Sequence, residues 1–151
     1  MAFFDHDWVK YPELSNTQLS VLRFVSPHVQ IEEDFDAVVV KVHDGDTVTL
    51  RASFRDFDFP LRLSGVDAPE LSQGGAEVRD WLSARVLDKT VLVKINRFNR
   101  VGKYGRLIGE LFVGGVSVGE EMVLSGLIQN FGKKLEGEIP SLGKVFSEGM
   151  F

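Results

Sequence analysis

The chain has 151 residues, enough for one compact domain with an appendage. It contains no cysteine, which excludes disulfide bonds. No apolar run reaches the roughly 18–20 residues of a membrane span. The first residues lack the basic and long apolar segments of a secretory signal. We therefore expect a protein outside membranes that is cytoplasmic, already processed, or exported by another route.

The net charge of −5 is distributed unevenly along the chain. Residues 1–36 hold seven acidic and two basic residues, so the remainder is neutral. Within that remainder, residues 89–106 hold six basic residues and no acidic one. We call residues 89–106 the basic stripe. Such a stripe attracts phosphates even on a neutral body, although a solvated strand and loop would have the same composition.

Residues 1–34 predict an acidic arm with one short helix. Ser15 or Asn16 is placed to cap this helix, and Leu19 and Leu22 would share one face. Two interpretations of the arm's acidic charge remain open. The arm either docks on the basic stripe and screens a site there, or it is a packing extension whose acids are solvated.

Residues 35–151 predict a second unit, which is dominated by strands. Strands are predicted at 35–42, 47–51, 59–66, 90–96 and 106–113, and helices at 76–87, from 117 onward and within 141–151. The strands are too short and too few for a two-sheet sandwich. A five-stranded barrel with a helix after the third strand is the economical solution. We therefore predict an α+β fold, a five-stranded OB-fold barrel with two to three helices.

Two aspartates flank the predicted turn between the first two strands. Asp44 and Asp46 suggest a calcium loop, but an EF-hand starting at Asp44 needs glutamate at the position of Arg55. The EF-hand is therefore excluded. We interpret Asp44 as a turn former, because aspartate satisfies backbone groups in tight turns. Asp46 opens the next strand and is either a structural polar residue or a ligand.

The segment that leaves the third strand carries two more acids. Pro69 holds Ala68 extended and restricts the backbone between Asp67 and Glu70. This rigidity would fix both acids and aim the carbonyl of Ala68 at an ion. Calcium accepts carboxylate and carbonyl oxygens together. The alternative is an ordinary strand-to-helix turn with a generic polar residue.

Two arginines complete the set of candidate site residues. Arg62 lies between Leu61 and Leu63 and should project away from the core, and Arg106 starts the fifth strand after a turn. Arginine binds phosphate through two parallel hydrogen bonds and neutralises the charge on a five-coordinate phosphorus. Each arginine alone would be an ordinary surface residue. Together with the carboxylates, they predict a site that cleaves phosphodiesters.

Three stretches of the sequence resemble, in order and spacing, the signatures of the staphylococcal nuclease (thermonuclease) family. They are Asp44-Gly45-Asp46-Thr47, then Arg62 with Val66-Asp67-Ala68-Pro69-Glu70, and then Lys103-Tyr104-Gly105-Arg106. The resemblance covers roughly residues 35–131. It implies an OB barrel and a calcium-dependent endonuclease that hydrolyses DNA and RNA. It also implies a preference for single-stranded or frayed regions and products with 3′-phosphate ends.

The resemblance assigns the metal and water roles to four residues. Asp46, Asp67 and the carbonyl oxygen of Ala68 look like the ligands of Ca²⁺. Glu70 looks like the residue that activates or orients the attacking water. All four lie in the turn-rich segments identified above.

The resemblance also assigns the substrate contacts. Arg62 and Arg106 look like the phosphate clamps, and Arg106 would lie near the point where the leaving oxygen is protonated. Lys103 and Tyr104 look like contacts to a neighbouring phosphate and sugar. These roles imply that the protein's partners are DNA and RNA.

Some features depart from the family pattern. Gly102 replaces the usual acid before the third signature. The tyrosines that stack a base after the second helix have no clear match, and Phe131 would stack in their place. The acidic arm has no counterpart in that pattern.

A non-catalytic nucleic-acid- or protein-binding OB module is the alternative function. The presence of all three acids and both arginines argues against it. We expect the protein to be a monomer.

Overall fold

A computed structural model gives the fold for residues 7–22, 26–67, 74–102, 105–127 and 129–130, with the backbone alone at residues 67, 129 and 130. The helices are α1 (Asn16–Leu22), α2 (Gly75–Val86) and α3 (Val118–Leu124). The strands are β1 (Phe35–Asp44), β2 (Thr47–Arg51), β3 (Phe59–Leu63), β4 (Val66–Asp67), β5 (Thr90–Lys94), β6 (Leu107–Val113), β7 (Val116–Ser117) and β8 (Gln129–Asn130). The helix predicted within 141–151 lies outside these residues.

Five strands close into a mixed barrel. The hydrogen-bonded order is β3-β2-β1-β5-β6, and a parallel pairing of β3 with β6 closes the ring. β7 adds a strand beside β6, and β4 pairs separately with β8. The prediction of an α+β OB-fold barrel is confirmed. No helix within the described ranges is long and apolar enough to cross a membrane.

The barrel interior is filled by the alternating apolar side chains of its strands. Fully buried residues include Val39, Val48, Leu50, Phe59, Leu61, Leu63, Val93, Leu107 and Leu111. Helix α2 contributes Val78, Leu82 and Val86 to the same core, and Trp81 packs against it while half-buried. The predicted apolar stripe of this helix is therefore confirmed. Alternation leaves every second residue of β3 and β6 facing outward, which is where the candidate site lies.

The third predicted strand, 59–66, is interrupted in the structure. β3 ends at Leu63, and a turn at Ser64 and Gly65 separates it from β4. Gly65 has a φ of +77°, a left-handed conformation that a residue with a side chain adopts only at a cost. Because of this turn, the chain folds back past Arg62 instead of continuing along the barrel.

Two helix starts agree with the sequence prediction. The hydroxyl of Ser117 accepts a hydrogen bond from the backbone N–H of Glu120 (3.2 Å) and caps α3. At α1, the Ser15 hydroxyl accepts from the N–H of Gln18, and the Gln18 side chain accepts in return from the N–H of Ser15. This reciprocal pair is a capping box.

The arm packs on the barrel, and one of its acids is buried. Leu14, Leu19 and Ile31 are buried apolar side chains of the arm. The carboxylate of Glu13 is also fully buried and contacts Arg100 (3.1 Å). The expectation that the acids of a packing extension are solvated is wrong at Glu13. The basic stripe is likewise interrupted, because Arg100 is only 2% exposed.

Candidate active site

Asp46 is held at the start of β2 by its neighbours in the turn. The carboxylate of Asp44 accepts the backbone N–H of Asp46 (3.0 Å), and the Thr47 hydroxyl donates to the Asp46 carboxylate (3.1 Å). The backbone carbonyl of Asp46 accepts the N–H of Leu63 from β3 (2.8 Å). The prediction that Asp44 forms the turn is confirmed. The turn fixes the Asp46 carboxylate at one end of the barrel.

The electrostatics of this turn favour negative charge. Burial alone would raise the pKa of the Asp44 carboxyl, but hydrogen bonds with Asp46 and Thr47 outweigh burial and hold that pKa below its usual value. The pKa of His43 is lowered by burial and by the nearby Lys41, against the opposing effect of Asp44. At neutral pH, Asp44 is therefore ionised, and His43 adds little positive charge.

Arg62 projects from β3 toward Asp46. Its flanking residues Leu61 and Leu63 are fully buried, which confirms the predicted outward direction of Arg62. Its Nη2 lies 3.4 Å from the Asp46 Oδ2, and the two side chains remain 22% and 14% exposed. Its Nη1 donates to the carbonyls of Leu63 and Val66, the latter at 2.9 Å. One guanidinium therefore joins the β1–β2 turn to β4.

Arg106 lies immediately before β6, the parallel neighbour of β3. Leu61 is opposite Leu107 and Arg62 is opposite Ile108 in the pairing register. Arg106 is two residues from Ile108, so continuation of the β6 alternation by one residue would place it on the same outward face. With a strand rise and spacing of about 3.3 and 4.8 Å, the α-carbons of Arg62 and Arg106 would then be on the order of 8 Å apart. Arg106 is half-buried.

The backbone of Asp67 lies beside this group. Asp67 pairs with Gln129 in the β4–β8 ladder, directly after the Val66 carbonyl that Arg62 contacts. The Asp67 side chain lies outside what the structure describes. So do the four remaining predicted site residues, Ala68, Glu70, Lys103 and Tyr104. Among the described side chains, no group of three or more His, Cys, Asp or Glu residues forms a metal site.

The described part of the site combines one carboxylate with guanidinium groups at a solvent-accessible barrel end. Asp46 and Arg62 are in contact, the Asp67 backbone adjoins them, and Arg106 approaches on the next strand. A carboxylate that solvent can reach is the hard oxygen donor that Ca²⁺ prefers, and the partly exposed Asp46 fits that requirement. Guanidinium groups beside it suit a phosphate that shares such a cation.

Sequence reasoning missed two features of this region. Thr47 was assigned no role, although its buried hydroxyl orients the Asp46 carboxylate. The sequence could have indicated this role, because Thr47 directly follows Asp46. The second feature is the burial of Glu13 between Arg55 and Arg100. No local pattern indicates it, because these arginines lie 42 and 87 positions further along the chain.

The sequence model of the family described as staphylococcal nuclease homologue matches residues 60–145 of this chain, which is more than half of its length. The chain therefore belongs to this family. The matched segment contains the positions of Arg62, Asp67, Glu70 and Arg106 and begins after Asp46.

Three curated fungal proteins are similar to part of the chain. A protein of Colletotrichum graminicola named probable endonuclease LCL3 is 30% identical over 97 residues, which covers 57% of this chain and 34% of that protein. Proteins named probable endonuclease lcl3 from Aspergillus flavus and Aspergillus oryzae are each 33% identical over 72 residues. These matches cover 43% of this chain and 25% of each relative. The chain thus spans about a quarter to a third of the length of these relatives.

Proposed function

We propose that this protein is a calcium-dependent nuclease that hydrolyses phosphodiester bonds in DNA and RNA and leaves 3′-phosphate ends. The observation that carries the proposal is the contact of partly exposed Asp46 with Arg62 at an accessible end of the barrel. Family membership and the endonuclease names of the three relatives support the same class of reaction.

The proposed metal site is built from oxygen donors. Asp46 would supply one carboxylate ligand, and Asp67 and the carbonyl of Ala68 would supply the others. Bound Ca²⁺ would offset negative charge on the scissile phosphate. Arg62 holds the Asp46 carboxylate beside β4, so the ligand from the first turn is already oriented toward the segment that carries the second.

The two arginines would bind the phosphate. Arg62 lies on β3 and Arg106 lies immediately before β6, the parallel neighbour of β3, so both would be within reach of one phosphate group. Preorganised guanidinium groups stabilise the extra charge of the five-coordinate transition state, and this is worth more there than in the ground state. Arg106 would also lie near the leaving oxygen.

The family resemblance supplies the roles of three further residues in this proposal, Glu70, Lys103 and Tyr104. Glu70 would activate or orient a water molecule for in-line attack on phosphorus. Departure of the opposite oxygen then gives one 5′-hydroxyl and one 3′-phosphate end. Lys103 and Tyr104 would contact the adjacent phosphate and sugar. Single-stranded or frayed substrates are expected, because their backbone reaches the barrel end without a paired strand.

The direct test is digestion of denatured DNA and of RNA with Ca²⁺ and with a chelator. We expect cutting with Ca²⁺ and no cutting with the chelator. The 3′ ends of the products should support polymerase extension only after phosphatase treatment. Equal cutting with the chelator would show that calcium is not required. Extension without phosphatase treatment would show that the 3′ ends carry no phosphate. Nucleic-acid binding without cutting under any divalent ion would favour the non-catalytic module instead.

A further inference from the structure

A buried carboxylate connects the arm to two loops of the barrel. The Glu13 side chain is fully buried, with Oε2 at 2.7 Å from Arg55 and Oε1 at 3.1 Å from Arg100. Oε1 also accepts the backbone N–H of Ile31 (2.8 Å). Arg55 belongs to the β2–β3 connection and Arg100 to the β5–β6 connection. Glu13 therefore ties the arm to both connections through charge.

The β5–β6 connection is held by the arm at further points. The guanidinium of Arg100 donates to the carbonyls of Ile31 (2.6 Å) and Leu14 (2.9 Å) and to the side chain of Asn16 (3.1 Å). The Asn16 amide donates in turn to the carbonyl of Arg97 (2.7 Å). The arm thus contacts this connection over several residues, through hydrogen bonds of 2.6–3.1 Å.

The same arm segment also reaches the turn before Arg106. The backbone N–H of Glu13 donates to the carbonyl of Gly105 (3.2 Å). The approach is so close that a Cβ on Gly105 would lie 2.5 Å from the Glu13 carbonyl oxygen. Gly102 donates to the carbonyl of Arg106 (2.7 Å), which closes the turn. Arg106 therefore lies between a turn that the arm contacts and a strand paired with β3.

Burying three charged groups is costly, and a well-packed apolar cluster would often serve stability equally well. We propose that Glu13 is a positioning residue for Arg106, acting through Arg100 and the Gly105 backbone. This proposal rests on the role of Arg106 as a phosphate ligand. Loss of the Glu13 charge would leave two buried guanidinium groups facing each other. The β5–β6 connection would then shift, and Arg106 would move from its place beside Arg62.

The test compares Glu13→Gln with wild type in the full chain, well below the unfolding temperature. Amide hydrogen exchange reports the mobility of residues 97–108, and kcat and KM are measured on denatured DNA with Ca²⁺. We expect faster exchange in 97–108 but not in β1 and β2. We also expect kcat to fall about 10–100-fold with KM little changed, because a misplaced group costs that much in the transition state.

Asp58→Asn is the matched control, since it makes the same chemical change at an exposed ion pair with Arg51 (2.8 Å). It should leave both readouts at wild-type values. If Glu13→Gln does not fold, Asn16→Ala replaces it, because Asn16 is exposed and its loss leaves no buried charge. In the folded variant, unchanged exchange or unchanged kcat would overturn the proposal. A wild-type chain that cuts no nucleic acid would instead refute the proposed function before any variant is compared.

Discussion

The chain places a carboxylate against arginine in two very different surroundings. In the arm, Glu13 is fully buried, and the side chains of Arg55 and Arg100 are each 1% exposed. In the candidate site, Asp46 and Arg62 are 3.4 Å apart and remain 14% and 22% exposed. The first cluster has short contacts on both carboxylate oxygens. The second is longer and reachable from solvent.

This difference separates a structural role from a binding role. A buried carboxylate between two arginines is already neutralised, so it holds distant segments together but cannot receive a further ion. A partly exposed pair keeps its charges available to a cation and to a phosphate, because water and ligands reach it. The pairing of a carboxylate with arginine therefore stabilises the fold in one place and forms a candidate reaction site in the other.

The largest expected effect on stability comes from removing the carboxylate of the buried cluster. Glu13→Ala should lower the free energy of unfolding by about 3–5 kcal/mol, because it leaves uncompensated buried charges. Within the described residues, Nε and Nη1 of Arg55 already have no hydrogen-bond partner, and its Nη2 would keep only the carbonyl of Val29. Urea denaturation measures the change. A loss below about 1 kcal/mol would show that the cluster is no stronger than a surface ion pair.

The second effect separates activity from stability in the site. Asp46→Asn should lower the cleavage rate on the order of 10²-fold, as for other groups that stabilise transition-state charge. Its free energy of unfolding should change by no more than about 1 kcal/mol, because the pair with Arg62 is partly exposed. Asp36→Asn is the control, since Asp36 is an exposed acid on β1. Equal rates in the two variants would remove Asp46 from the site.

The third effect concerns the contact between the two regions. Gly105 has a φ of +83°, and a Cβ there would collide with the Glu13 carbonyl. Gly126 has a nearly identical φ of +81°, but no atom of the described residues lies within 4 Å of the position that its Cβ would take. Gly126→Ala should cost about 1–2 kcal/mol of unfolding free energy for the left-handed backbone alone. Gly105→Ala should cost more and should also slow cleavage. Equal decreases in melting temperature in the two variants would mean that the contact between the arm and this turn does not affect stability.

The smallest effect is expected at the exposed pair of Arg51 and Asp58. The hydrogen bond from Arg51 holds the pKa of Asp58 below its usual value, despite some opposing desolvation. The pair therefore stabilises the fold above the unfolded-state pKa of about 3.9, and this contribution disappears as pH falls through the lower folded-state pKa. Asp58→Asn should be slightly less stable than wild type at pH 7. The difference should vanish in acid, and a difference that grows there would contradict this sign.

Local patterns predicted the barrel and the directions of its side chains. The alternation of residues 47–51 predicted the bounds of β2 correctly. The flanking leucines predicted that Arg62 points outward. The break after Leu63 was missed, because an alternation that continues through Ser64 does not reveal a left-handed turn at Gly65. Strand periodicity is a property of neighbouring residues, so the sequence can show it directly.

The buried cluster could not be predicted, because its partners meet only after the barrel has closed. Arg55 entered the sequence argument only as the residue that excludes an EF-hand, and Arg100 only as one member of a basic stripe. Charge counts treat every acid as solvated, which holds for most but not for Glu13. In the site, the contact of Asp46 with Arg62 follows from strand pairing between β2 and β3. The sequence placed Asp46 and Arg62 in one candidate site, but it did not indicate that their side chains are in contact.

The most direct test of the proposed site is the turnover of Arg62→Ala on denatured DNA with Ca²⁺, expressed per folded molecule. Arg62 touches Asp46 and projects from the strand beside Arg106, so its loss should remove one phosphate clamp. We predict a fall in kcat of about 10²–10³-fold with the folded fraction unchanged. Turnover equal to that of the wild type would contradict the assignment of this barrel end as the active site.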